Sequence, residues 1–313
     1  MKRAFIGIVL TATALTGITL WSAYLNQASP SSVSPAPRMS ISKQNMNKQS
    51  QPASNRKEAP GSSQQPKAAP ANDPIAAKIN AASAEVIEGA EELQLKKDLK
   101  IAAVGDSLTE GVGDTTGKGG YVGIIKNTLE KNKNHIHVEV DNFGKRGSRT
   151  DQLLQRLGQQ EVASSIKGAD VILITIGAND VMKVVRSNFS HLTYKEFVSE
   201  QAHYRMRLEQ IVRSLKAKNP SANIYLIGIY NPFDTYFADI KEMDQIIADW
   251  NHIGGSVVSS YPHATFIPVA DLFHNAKESL LYEDNFHPNK RGYQLMAERV
   301  LQYIKPGIQS RSS

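Results

Sequence analysis

The chain has 313 residues, 41% of them hydrophobic, with 21 glycines and 14 prolines; that is enough for one or two domains with a sizeable core, and it is neither a collagenous nor a wholly disordered composition. The absence of cysteine excludes disulfides, thiolate metal sites, a cysteine nucleophile and a lipidated N-terminal cysteine, and it suits an oxidising compartment. The net charge of +6 belongs to residues 1–75, which hold eight bases and two acids, whereas residues 76–313 hold 28 of each; a neutral folded part lacks the clustered positive charge that nucleic acid requires.

Lys2 and Arg3 precede an uncharged run from Ala4 to Leu25. As a helix its 22 residues reach about 33 Å, close to the ~30 Å core of a bilayer. Trp21 and Tyr24 stand at its far end, where aromatic side chains favour the interface. Charges ahead of the run keep the N-terminus cytoplasmic and send the rest of the chain outside. A cleaved signal peptide has a shorter apolar stretch, ~7–15 residues, with small residues before the cut. No such site follows the run. The expectation for residues 1–25 is an uncleaved membrane anchor, so that the membrane is a partner and the rest of the chain extracellular. Secretion after cleavage is the alternative.

Residues 26–75 carry 8 of the 14 prolines and no aromatic residue. They cannot bury enough apolar area to offset their ordering entropy and are expected to be a disordered linker. Residues 76–97 place Ile79, Ala82, Val86, Ala90 and Leu93 at helical spacing, which predicts a lead-in helix. A folded domain over 76–313 completes the organisation.

From Leu99 onward strands and helices alternate. Strands are predicted at Ile101–Val104, Ile136–Val140, Val171–Ile176, Ile224–Ile229 and Thr265–Val269, and helices at Tyr121–Leu129, Tyr194–Leu215, Ile240–Val258 and Asn289–Ile304. Strand–helix alternation implies parallel βαβ units with helices on both faces of the sheet. The unbroken apolar runs fit strands buried on both sides. Ligands of such sheets bind beyond the carboxyl ends of the strands, so the chemistry should lie just after the apolar runs.

Four segments meet that condition. Gly105-Asp106-Ser107-Leu108 follows the first strand; a serine on a tight strand-to-helix turn exposes its Oγ at the sheet edge, although it also serves as a helix N-cap. Asn142-Phe143-Gly144-Lys145-Arg146-Gly147-Ser148 follows the second, where glycine permits a backbone N–H to be aimed at an oxyanion; Gly144 reads as a turn glycine. Gly177-Ala178-Asn179-Asp180 follows the third, and a side-chain amide there can donate to an oxyanion or cap the next helix. Asp284-Asn285-Phe286-His287-Pro288 precedes the last helix. An aspartate three residues before a histidine can accept from Nδ1–H and leave Nε2 as a base. Asp271 and His274 share that spacing after the fifth strand and are a rival pair. His135 and His137 share a strand face, but no third ligand follows them, so no metal is expected.

In their order and placement these segments resemble the SGNH hydrolases, the GDSL-type lipases and esterases, over residues 98–305. The four signature letters match Ser107, Gly147, Asn179 and His287. The resemblance implies a three-layer α/β/α sandwich around a five-stranded parallel flavodoxin-like sheet. It implies Ser107 as nucleophile, His287 as general base and Asp284 as its orienter, and it favours His287 over His274. The oxyanion hole would be the N–H groups of Ser107 and Gly147 and the Asn179 amide; Gly147 is preferred to Gly144 because it precedes a helix start. No cofactor is implied. The expected activity is hydrolysis of carboxylic esters through an acyl-enzyme, on a small molecule, a lipid or an envelope glycan. Alternatives are O-acyl transfer or carbohydrate deacetylation at the same site, and a non-catalytic envelope-binding module. Met182, Val184 and Val185, with the segment from Asn231 to Phe237, are candidates for an acyl groove, and packing explains them equally well.

Overall fold

The computed structural model describes residues 98–131, 136–188, 192–232 and 241–308. The anchor, linker and lead-in helix expected over residues 1–97 lie outside the described residues, as does His135. Among the described residues no helix is long and apolar enough to cross a membrane.

Five strands form one parallel sheet: β1 (Asp98–Gly105), β2 (His137–Gly144), β3 (Val171–Thr175), β4 (Asn223–Ile227) and β5 (Ala264–Ile267), in the order β2-β1-β3-β4-β5. That is the doubly wound order of flavodoxin-like folds, in which the chain reverses direction between β1 and β3 and leaves a crevice at their carboxyl ends. Among the described residues nine helices accompany the strands: α1 (Ser107–Glu110), α2 (Gly120–Glu130), α3 (Thr150–Arg156), α4 (Gln160–Gly168), α5 (Ala178–Ser187), α6 (Tyr194–Lys218), α7 (Lys241–Ser259), α8 (Ala270–Phe273) and α9 (Lys290–Ile304). A 3-10 turn at Lys305–Ile308 ends the described chain.

Alternation along the central strands explains the three layers. Ala102, Val104, Ile172, Ile174, Ile224 and Leu226 face a core shared with α3 to α7. Ile101, Ala103, Val171, Leu173, Tyr225 and Ile227 face a second core shared with α2 and α9. All five residues of β3 are buried, so both of its faces are apolar and the run reads as continuous hydrophobicity. Trp250 of α7 anchors the first core, stacked on Tyr204 of α6 at 5.6 Å and edge-on to Phe197 at 6.3 Å; such ring pairs add about 0.5–1.5 kcal/mol each beyond their buried area.

The strands end in register. Gly105 of β1 pairs with Gly144 of β2 and Thr175 of β3, and Thr175 pairs with Ile227 of β4. One row across the sheet therefore carries the starts of the loops that hold the candidate residues. Two expectations change here. The second strand extends four residues past Val140, because on the edge strand the apolar alternation stops before the hydrogen-bonded ladder does. Gly144 is consequently not a turn glycine. It closes β2 where a Cβ would meet the Glu110 backbone N at 2.1 Å, so it lets the strand end lie flat against α1.

Candidate active site

The serine turn is built by its neighbours. Asp106 precedes α1 as its N-cap, and its Oδ1 accepts from the Leu108 N–H at 3.0 Å and from the Thr175 hydroxyl at 2.7 Å. Thr109 joins this group, 2.7 Å from Thr175 Oγ1 and 3.2 Å from the Tyr121 hydroxyl. Gly105 allows the turn to sit against β3, since a Cβ there would meet Thr175 O at 2.3 Å. Burial pushes the Asp106 carboxyl up to about 7, against the downward pull of its Thr175 and Leu108 hydrogen bonds. Its Oδ2 has no hydrogen-bond partner among the described residues.

Ser107 is 2% exposed and His287 fully buried. The sequence separates them by 180 residues, yet Ser107 Oγ lies 2.8 Å from His287 Nε2, and His287 Nδ1 lies 2.6 Å from Asp284 Oδ2. An ionised carboxylate can only accept, so Nδ1 carries the proton and Nε2 accepts from the serine hydroxyl. Asp284 Oδ1 binds the chain itself, accepting from the N–H groups of Phe286 at 3.0 Å and His287 at 2.9 Å. Asn285 takes a left-handed φ of 54° to close this tight loop. Burial raises the Asp284 pKa, but the His287 hydrogen bond and charge and the two backbone donors outweigh it and hold the carboxyl below its ordinary value. Two longer-range bonds seat the loop: the Tyr230 hydroxyl donates to Phe286 O at 2.6 Å, and Tyr282 N–H donates to His287 O at 2.8 Å.

Gly147 and Asn179 come together through Ser148. Gly147 has φ +74°, a conformation that glycine adopts without strain. Asn179, 1% exposed, donates one Nδ2–H to Ser148 O at 3.1 Å. A carboxamide has two such protons. Asn179 lies in the first turn of α5, just past Gly177, whose φ is +122°.

The rival pair does not reach the serine. Asp271 forms a two-pronged ion pair with Arg299, at 2.7 and 3.0 Å, and His274 Nε2 lies 2.7 Å from the Asn275 amide. Val184 and Val185 turn into the core. Among the described residues no group of acids and histidines could hold a metal ion.

Sequence reasoning missed the supports of this arrangement. Arg156, on α3, donates to Gly105 O at 2.6 Å, Phe143 O at 2.8 Å and Ser148 Oγ at 3.1 Å. One guanidinium thus ties the ends of β1 and β2 to the Gly147 loop. Asp180, buried, accepts from the Thr150 N–H at 3.1 Å, the Thr150 hydroxyl at 2.6 Å and Arg207 at 3.1 Å, and Arg207 also pairs with Glu200. The only signal in the sequence is position: Asp180 adjoins Asn179, and Arg156 follows Gly147 by nine residues.

The sequence profile of the GDSL-like Lipase/Acylhydrolase family matches residues 103–295. The uncharacterized protein YpmR of Bacillus subtilis is 40% identical over 225 residues, covering 71% of this chain and 88% of that one. The spore germination lipase LipC of Bacillus licheniformis is 30% identical over 207 residues, covering 64% and 94%. The crystal structure of the lipase Lip_vut3 from a goat rumen metagenome superposes with a TM-score of 0.59 at 26% identity, over 65% of this chain and 96% of that one. With the profile spanning more than half of its length, the chain belongs to the GDSL-like lipase/acylhydrolase family and is a carboxylic ester hydrolase.

Proposed function

We propose that the chain hydrolyses its ester through an acyl-enzyme on Ser107, and that it works outside the cytoplasm. The observation that carries the first part is the chain of contacts from Ser107 Oγ to His287 Nε2 at 2.8 Å and from His287 Nδ1 to Asp284 at 2.6 Å. In this reading Ser107 Oγ attacks the ester carbonyl while its proton passes to Nε2 of the neutral ring. Asp284 fixes the tautomer and stabilises the imidazolium. The oxyanion is received by the N–H groups of Ser107 and Gly147 and the second Nδ2–H of Asn179. As the tetrahedral centre collapses, the C–O bond to the alcohol breaks and the leaving oxygen takes the proton from Nε2. Water then attacks the acyl-serine, giving its proton to Nε2, which returns it to Ser107 Oγ as the carboxylic acid departs.

The test is covalent labelling. A fluorophosphonate should modify Ser107 in the wild type and leave Ser107→Ala unlabelled, with ester hydrolysis lost and the melting curve nearly unchanged. Labelling or activity retained in the variant would overturn the assignment. The extracytoplasmic part rests on Lys2 and Arg3 ahead of the uncharged run to Leu25. External protease should cut within residues 26–75 of intact cells and leave a membrane-bound stub; a catalytic part shielded from the protease would refute it.

A further inference from the structure

The loop that carries Gly147 is fastened to α5 at two successive residues of that helix. Asn179 donates to Ser148 O at 3.1 Å, and Asp180 accepts from the N–H and the hydroxyl of Thr150, at 3.1 and 2.6 Å. Thr150 opens α3, and Asp180 lies in the first turn of α5. Arg207 of α6, a helix packed against both, closes the second fastening into a ring. Its Nε donates to Thr150 Oγ1 at 2.7 Å and its Nη2 to Asp180 Oδ1 at 3.1 Å. A guanidinium only donates, so Thr150 Oγ1 accepts from Arg207 and spends its own proton on Asp180. Glu200, on the same helix as Arg207, also accepts from Nη2 and fixes the plane of the fork.

We infer that Arg207, Thr150 and Asp180 are positioning residues for the oxyanion hole: their ring sets the separation between the Gly147 N–H and the Asn179 amide. The inference rests on the oxyanion reading above and extends it to a side chain of α6 whose bonds go to Thr150, Asp180 and Glu200. Asn179 holds Ser148 O through a single hydrogen bond, about which the loop would pivot. The Thr150–Asp180 contact lies two residues further along the loop and one further along α5, and it removes that freedom. A buried ion pair is a weak source of net stability, because desolvation offsets its attraction. Thr150 and Asp180 are at most 1% exposed, and apolar side chains would fill their space without that cost. What the ring supplies and an apolar filling would not is a fixed distance and direction between two helix starts. Oxyanion donors act at the place where charge develops, so a displaced donor weakens the transition state and leaves substrate binding nearly as it was.

The test uses the full chain, with kcat expressed per active site counted by complete fluorophosphonate labelling. In Arg207→Met, kcat should fall about ten- to hundredfold, the loss expected of a donor misplaced by ~1 Å, with KM within about twofold of wild type. Butyl trifluoromethyl ketone, to whose carbonyl Ser107 Oγ adds as its proton passes to His287 Nε2, leaves an oxyanion in the hole. Its affinity should weaken by the same factor as kcat/KM. Thr150→Val, which keeps the shape and loses the hydroxyl, should match Arg207→Met, and the double variant should be no worse than either, because the ring acts as a unit. Thr150→Ser, which restores the hydroxyl, should recover what Thr150→Val loses. The Thr150 pair carries the test even where Arg207→Met does not fold. Three results would overturn the inference: a loss that vanishes once activity is expressed per labelled site, a loss confined to KM, or losses that multiply in the double variant. If Asn179→Ala leaves the ketone affinity intact, the oxyanion reading falls and the inference with it; if Asn179→Ala weakens it and Arg207→Met does not, only the inference falls.

Discussion

The two halves of the Ser107–His287 contact are held in opposite ways. The Ser107 turn is fixed from outside: Asp106, Thr109, Thr175 and Tyr121 interlock beneath it, β2 lies against it through Gly144, and Arg156 ties the neighbouring strand ends together. The Asp284–His287 loop is fixed largely from within, by one carboxylate that binds both the imidazole and the loop's own backbone. Changes to the residues that support the serine turn should therefore lower activity and stability together, whereas the histidine end should allow activity to be lost in a fold that stays intact.

The sharpest test of that contrast is at the histidine. His287→Ala should lower kcat/KM by more than about 10⁴-fold, as loss of the base does in serine hydrolases, with little change in melting temperature. Asp284→Asn keeps Oδ1 for the two backbone donors and should lose distinctly less. Equal losses would mean that the loop depends on the charge rather than on its internal hydrogen bonds. Next in size is Asn179→Ala, expected to reduce kcat by about 10²–10³-fold with a modest change in KM, as for removal of one oxyanion donor. A change confined to KM would make Asn179 a ground-state contact.

Arg156→Met probes the outer clamp. Loss of its hydrogen bonds should cost about 2 kcal/mol of stability and reduce kcat more than it raises KM, since what moves is the Gly147 loop. A stable variant with full activity would show that the strand ends hold themselves. Asp106 gives the same region a signature in pH. Its carboxyl, ordinarily near 3.8, is pushed to about 7 by burial in the fold, so between those values the folded state keeps a proton that the unfolded chain has released. That stabilisation is complete below about pH 4 and disappears as pH rises through 7; the difference is on the order of 4 kcal/mol. Asp106→Asn retains the accepting oxygen and should flatten the stability profile across this window. An unchanged slope in denaturant melts at pH 5 and pH 8 would place the titration elsewhere. The smallest effect belongs to Tyr230→Phe, which removes one bond to the histidine loop. A loss of about 1 kcal/mol and a few-fold in kcat are expected, and a larger loss would show that the loop relies on β4 more than on itself.

The parts legible in the sequence share one property: they are encoded locally. Val171–Ile174 is apolar at every position because both faces of β3 are covered, and the polar motifs follow the apolar runs because a parallel sheet opens at its carboxyl edge. Asp284 and His287 could be paired because three residues separate them. The helices α3 and α4 are harder to read, since α4 buries only Val162 and Ile166, too few for a period to emerge. Arg156 and Asp180 were illegible for another reason. Their partners lie on other elements, at sequence separations from 8 to 51 residues, and no spacing announces such contacts. Tyr230 is a further case, with its partner Phe286 56 residues away.

The register row that ends the strands at Gly105, Gly144, Thr175 and Ile227 bears on how the molecule comes to be active. Each parallel pairing closes a long loop of chain before its contacts stabilise it, which makes such sheets slow to assemble. His287 arrives only with the segment that leads into α9, after every strand has been synthesised. Enzymatic turnover is then a reporter of the finished topology: in a refolding time course, helix content and burial of Trp250 should recover before the first ester is cleaved.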